Sequence, residues 1–201
     1  FGCGVVTGVG AVINTAKASE EDSVAIVGLG GVGLSALLAS IAIGSKKTIA
    51  IDLSDEKLAL AKELGANHTL NPKDENFLET FLDITSGGAN IAVETAGSGH
   101  ALKTAYDITR RGGTTVAAGM PGPKVEITLS HLSIAAEERV IKGSYMGSCI
   151  AQRDIPKYLD MFQTGKLPVD RLLSRKIKFE DLNEAMDRLD DAKTVREVLI
   201  P

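Results

Sequence analysis

The chain has 201 residues, 44% of them hydrophobic, and its 22 Lys and Arg against 26 Asp and Glu give a formal net charge of -4. That content is enough for an ordinary globular core and excludes disorder, while the interspersed charges leave no basic stripe for nucleic acid and no polybasic anchor for a membrane. Two cysteines, Cys3 and Cys149, are too few for a disulfide framework, and the longest greasy stretch, residues 32–43, is too short to span a bilayer; the composition predicts a cytoplasmic setting and small-molecule partners.

The chain opens on Phe1-Gly2-Cys3-Gly4 rather than Met, which reads as the interior of a larger protein, and residues 5–15 read as a Gly-rich apolar helix. Residues 23–27 form the first strand-like run. Gly28-Leu29-Gly30-Gly31-Val32-Gly33 follows, then an Ala/Leu-rich helix over 31–43, a second apolar run over 48–51, and Asp52, 19 residues after Gly33. This is a dinucleotide-binding fingerprint in its full strand–turn–helix context. Gly28 makes the tight turn, Gly30 lets a pyrophosphate approach the backbone, Gly33 lets the helix close on the strand, and the helix N-terminus offers free N–H groups to the phosphates. Asp52 would accept hydrogen bonds from the adenosine ribose hydroxyls and repel a 2'-phosphate, and Leu53 stands where an NADP site would favour arginine. NAD is therefore expected over NADP.

Further helices are predicted over 55–64, 77–85, 99–109 and 130–137, and further strands over 90–94, 114–118 and 139–145. Strands alternating with helices predict an α/β fold, a doubly wound parallel sheet of the Rossmann type. Thr95, Ala96, Ala118, Gly119 and Met120 then fall at the C-terminal ends of two strands, where small residues leave room for flat cofactor rings. Past residue 147 the pattern becomes a helix over 155–163, a Pro-marked strand near 167–172, a helix over 180–189 and a strand over 194–199. This tail is too short to hold a core of its own.

Gly2-Cys3-Gly4 with Thr7-Gly8-Val9-Gly10, then Val27-Gly28-Leu29-Gly30-Gly31-Val32-Gly33-Leu34, Ile51-Asp52, Lys62-Glu63-Leu64-Gly65-Ala66, Glu94-Thr95-Ala96-Gly97, Gly112-Gly113, Gly119 and Arg196 form one ordered series. It closely resembles the zinc-dependent medium-chain alcohol dehydrogenases. The resemblance implies three parts: the end of a catalytic domain and a linking helix at 1–15, the NAD-binding domain at 16–146, and a segment returning to the catalytic domain at 147–201. It also implies that the rest of that catalytic domain is absent, so that the chain alone is inactive. By the same resemblance Cys3 is one of three protein ligands of a catalytic zinc, Thr7 touches the nicotinamide, Val32 backs its ring, Lys57 reaches the ribose, and Arg196 pairs with the pyrophosphate.

Four of these residues also have a plainer reading: Cys3 as a small apolar residue, Val32 as core, Lys57 and Arg196 as solvated charges. His68, His100, His131 and Cys149 show no ligand spacing with Cys3 and read as surface or capping residues. The implied reaction is hydride transfer between a primary or aromatic alcohol and NAD, with the aldehyde as the other partner, in a homodimer or homotetramer paired through the last strand. Two alternatives stand beside it. A zinc-free NAD(P)H quinone reductase of the same superfamily would lack Cys3 and favour a 2'-phosphate, and a non-catalytic NAD-binding module would leave Cys3 and the tail without a purpose.

Overall fold

The computed structural model describes residues 1–188 and 195–200. Six parallel strands form one sheet in the order β3-β2-β1-β4-β5-β6: β1 (Ser23–Val27), β2 (Lys47–Ile51), β3 (His68–Leu70), β4 (Ala89–Glu94), β5 (Thr109–Ala117) and β6 (Val140–Gly143). This is the doubly wound Rossmann order, and the direction of winding reverses between β1 and β4, so a crevice opens above their C-terminal ends.

The alternation of side chains along β1 divides the core into two layers. Val24 and Ile26 pack on one face with Leu34, Leu37 and Leu38 of α2 (Gly31–Ala42) and with Leu58 and Ala61 of α3 (Asp55–Leu64). Ala25 and Val27 pack on the other with Phe81 of α4 (Phe77–Thr85) and with Ala101 and Ala105 of α5 (Gly99–Asp107). A strand covered on both faces carries an uninterrupted apolar run, and β1 is buried at all five positions. Ser54 caps α3 by accepting the Lys57 N–H, and Gly65 ends it in the left-handed conformation.

At the N-terminus, α1 (Cys3–Gly10) runs without a break into a π-helical segment, Ala11–Ala16. Helix α1 crosses α2 closely because Gly8 has no Cβ: one there would collide with the Val32 carbonyl and lie 2.8 Å from the Ala36 nitrogen. After β5, α6 (His131–Ala136) leads into β6. The tail then supplies α7 (Ala151–Gln163), α8 (Leu182–Arg188) and a separate parallel pair, β7 (Arg175–Ile177) with β8 (Glu197–Leu199). The tail is anchored by Tyr158, Leu167 and Leu172, all buried in the same layer as α1 and α2, and by an edge-to-face contact of Phe162 with Phe1 at 5.9 Å.

Four elements depart most from expectation. The expected strand at 167–172 is a 3-10 turn, Val169–Leu172, and the strand forms later at β7. Leu167 and Leu172 are both buried, and a short apolar run does not by its periodicity distinguish a strand from a helical turn. Helix α7 starts four residues earlier than expected because the Asp154 carboxylate accepts the Ile150 N–H at 2.8 Å and secures its first turn. Strand β5 starts at Thr109, and Ala118 falls just past its end. The strand expected over 139–145 spans Val140–Gly143. The expected ends at Leu189 and Thr194 lie outside the described residues. Among the described residues, no helix is long and apolar enough to cross a membrane.

Candidate functional site

Between β1 and α2 the chain turns at Gly28, whose φ of +93° an L side chain rarely adopts. A Cβ at Gly28 would also lie 2.8 Å from that of Ala96. Further along, a Cβ on Gly33 would collide with the Gly28 carbonyl and sit 2.7 Å from the Thr95 hydroxyl oxygen. That hydroxyl donates to the Gly28 carbonyl at 2.7 Å and ties β4 to the turn. Gly30 behaves differently: a Cβ there would meet no atom within 4 Å. Packing explains Gly28 and Gly33. It does not explain Gly30, whose bareness suits a ligand lying against the backbone.

Gly30 is the N-cap of α2 and no side chain caps that helix, so the first-turn N–H groups face the crevice without a side-chain acceptor. The Arg196 guanidinium arrives from the tail against Gly4, and its Nη2 would lie 3.3 Å from a Cβ on Gly31. A fixed cation thus stands over a helix N-terminus, an arrangement suited to a pyrophosphate.

Asp52 stands one residue past β2. Its Oδ2 accepts the Leu29 N–H at 2.6 Å and its Oδ1 accepts the Ser54 N–H at 2.9 Å. The carboxylate therefore joins the fingerprint turn to the start of α3 and keeps lone pairs for two ligand hydroxyls. Leu29 itself is fully buried, so its side chain serves the core while its backbone binds Asp52.

Two clefts flank this turn. The first, about 400 Å³, brings together Gly28, Asp52, Leu53, Lys57 and Ala96, joined by Pro72, Ser98, His100 and Thr104. The second, about 330 Å³, brings together Cys3, Thr7, Val32, Thr95, Ala118, Gly119 and Met120 with Ser144, Tyr145 and Met146. The candidate residues thus separate between two clefts, with the fingerprint turn between them. His100, Ser144 and Met146 belong to these walls and carry no signal in the sequence. His131 is exposed at the start of α6, and His68 opens β3, where burial and the charges of Lys47 and Lys62 lower its pKa.

Glu94, the last residue of β4, is a buried carboxylate, and its Oε1 accepts the Gly97 N–H at 2.6 Å. Burial raises its pKa, opposed by hydrogen bonds from the backbone of Gly97, Ala96, Ser98 and Gly119. It shapes both loops that floor the crevice. Cys3 is exposed at the first residue of α1, with its sulfur 3.8 Å from that of Met146. Among the described residues, no group of three or more His, Cys, Asp and Glu is placed to hold a metal ion. Cys3 can supply one thiolate to a metal site and no such group completes one among the described residues, so a catalytic zinc does not fit the described residues alone.

The sheet order and the fingerprint turn define an α/β domain of the Rossmann type. A family profile described as zinc-binding dehydrogenase matches residues 31–164, and the chain belongs to that family. It is 36% identical over 201 residues to a geraniol dehydrogenase of Castellaniella defragrans, covering 100% of this chain and 54% of that protein. With an alcohol dehydrogenase class-2 isozyme 2 of Oryctolagus cuniculus it shares 35% identity over 203 residues, covering 100% of this chain and 53% of the relative. Among solved structures, a benzyl alcohol dehydrogenase from Acinetobacter calcoaceticus superposes with a TM-score of 0.94 at 33% identity, covering 98% of this chain and 54% of that one. The chain spans about half the length of the curated relatives it matches.

Proposed function

We propose that this chain is the NAD-binding part of a zinc-dependent alcohol dehydrogenase, divided as 1–15, 16–146 and 147–201, that transfers hydride between an alcohol and NAD. The observation that carries the reading is the contrast between Gly33, jammed against Gly28 and Thr95, and Gly30, open to the crevice between the two clefts. In this reading Asp52 accepts the adenosine ribose hydroxyls, with Lys57 beside it and Leu53 on the adenine wall. Gly30, Gly31 and the α2 N-terminus, under Arg196, hold the pyrophosphate. Thr95, Ala96, Ala118, Gly119 and Met120 floor the crevice, and Thr7 and Val32 orient the nicotinamide. NAD supplies the hydride acceptor; the protein's task is to fix which face of the ring meets the substrate.

Cys3 at the mouth of the nicotinamide end provides one thiolate to a zinc whose other ligands come from outside this chain. Primary and aromatic alcohols are the proposed substrates, in keeping with the geraniol and benzyl alcohol dehydrogenases that the chain resembles. The proposal includes a dimer or tetramer joined through β6. Calorimetric titration of NAD, NADP and ADP-ribose tests the cofactor reading. NAD binding at least tenfold tighter than NADP is expected, and equal affinities overturn the assignment of Asp52.

A further inference from the structure

Buried polar groups that the cofactor reading leaves unused gather behind the nicotinamide end. Met146, Gly147 and Ser148 follow one another at φ of +49°, +66° and +48°. Glycine tolerates that conformation, but methionine and serine adopt it only when their surroundings hold them there. At Gly147 the backbone is pressed against α1, where a Cβ would collide with the Val6 carbonyl and lie 2.8 Å from the Gly10 Cα.

Two residues of the π-helical segment, Asn14 and Thr15, hold this strained run, and Asp154 of α7 braces Asn14 from behind. Thr15 Oγ1 bonds the hydroxyls of Ser144 and Ser148 at 2.8 and 2.9 Å. Asn14 Nδ2 donates to the Gly147 carbonyl at 3.2 Å and lies 3.2 Å from Asp154 Oδ2 and 3.0 Å from the Tyr158 hydroxyl, three acceptors around two hydrogens. Asp154, 3% exposed, takes the Ile150 N–H and pairs with Arg153 at 2.6 Å. The Arg153 guanidinium holds the Asp154 carboxyl down at about 2, so it stays ionised at working pH. The same run turns its other face to the cleft. Ser144, Tyr145 and Met146 line it, and the Met146 sulfur lies 3.9 Å from the Thr7 hydroxyl oxygen.

We propose that Asp154 and Asn14 are positioning residues for the nicotinamide: they lock residues 144–148 in a strained conformation that presents Met146 and its neighbours to the ring. This rests on the NAD reading. The chemistry fits the geometry, since a buried carboxylate bonded to an amide and to a backbone N–H is rigid, and a rigid support is what a strained wall requires.

The test is to titrate the 201-residue chain, as wild type, Asp154→Asn, Asn14→Ala and the surface control Lys157→Ala, with NADH by nicotinamide fluorescence and with ADP-ribose by calorimetry. Loss of the support should weaken NADH about threefold to tenfold, the effect of one well-placed hydrogen bond, and reduce the fluorescence gain on binding. ADP-ribose affinity should stay within about twofold, because that ligand lacks the nicotinamide. Unchanged NADH affinity and emission, or a parallel loss of both ligands, overturns the proposal and leaves the NAD reading intact. A wild type that binds neither ligand overturns both. If Asp154→Asn does not fold, Asn14→Ala decides, because it leaves the Asp154 contacts with Arg153 and Ile150 in place.

Discussion

At the residue scale, glycines within the six positions 28–33 do different work, and the difference is measurable. Gly33→Ala pushes a methyl group into the Gly28 carbonyl and the Thr95 hydroxyl, so the chain should lose about 1–3 kcal/mol of stability, which overpacking of a close contact costs. Gly30→Ala meets no protein atom and should leave the melting temperature within about 2 °C while weakening NAD and ADP-ribose alike. Thermal melts and calorimetry on the two variants check the pair. If Gly30→Ala binds ADP-ribose like the wild type, the pyrophosphate does not lie against that residue. Asp52 carries a second prediction. Asp52→Ala removes the repulsion of a 2'-phosphate and also the acceptor for the Leu29 and Ser54 N–H groups. The preference for NAD over NADP should therefore shrink to within about threefold while stability falls, a coupling that melting and titration of the same variant would show.

At the element scale, the ends of β4 and β5 are joined beneath the crevice by one buried carboxylate. Glu94 has a pKa raised by burial against several backbone N–H bonds. Its protonated form is favoured in the folded state. Its contribution to stability is therefore fully present below the ordinary value of 4.5 and is lost as pH rises through the raised folded value. Glu94→Gln keeps an acceptor for the Gly97 N–H and removes the charge. The variant should melt with the wild type near pH 4 and above it at pH 8. A wild type whose advantage grows with pH would show that the ionised carboxylate stabilises these loops.

At the scale of the whole molecule, the sheet ends at β6, which pairs with β5 on one side only. Val140 and Ile141 on that strand are each 41% exposed, and Leu132 on α6 is 75% exposed. An open edge flanked by apolar side chains is an aggregation hazard unless another chain pairs with it. Sedimentation of the wild type should show a dimer at micromolar concentration, and Ile141→Lys should shift it to monomer without lowering ADP-ribose affinity. A monomeric wild type removes the proposal that β6 is the interface. The chain alone, with no group of metal ligands among its described residues, should also give no NADH from ethanol or benzyl alcohol; zinc-dependent turnover by the 201 residues would show that the metal site is complete within them.

Much of the site was legible in the sequence because it is local. The fingerprint turn, its helix and Asp52 occupy 25 consecutive residues, 28–52, and the roles of Gly28, Gly33 and Asp52 follow from backbone sterics and charge that any strand–turn–helix unit shares. The alternation of strands and helices likewise specified a parallel sheet, since strand-length apolar runs separated by helices have few other ways to bury both faces. Short apolar runs are ambiguous, so residues 167–172 misled. Only the tertiary structure could bring Met146 to Cys3 across 143 positions and Asp154 to Asn14 across 140. It alone placed Arg196 over Gly31 and set three left-handed residues in a row behind the crevice. Such contacts depend on how the tail returns across α1 and α2, a packing outcome that no local spacing encodes.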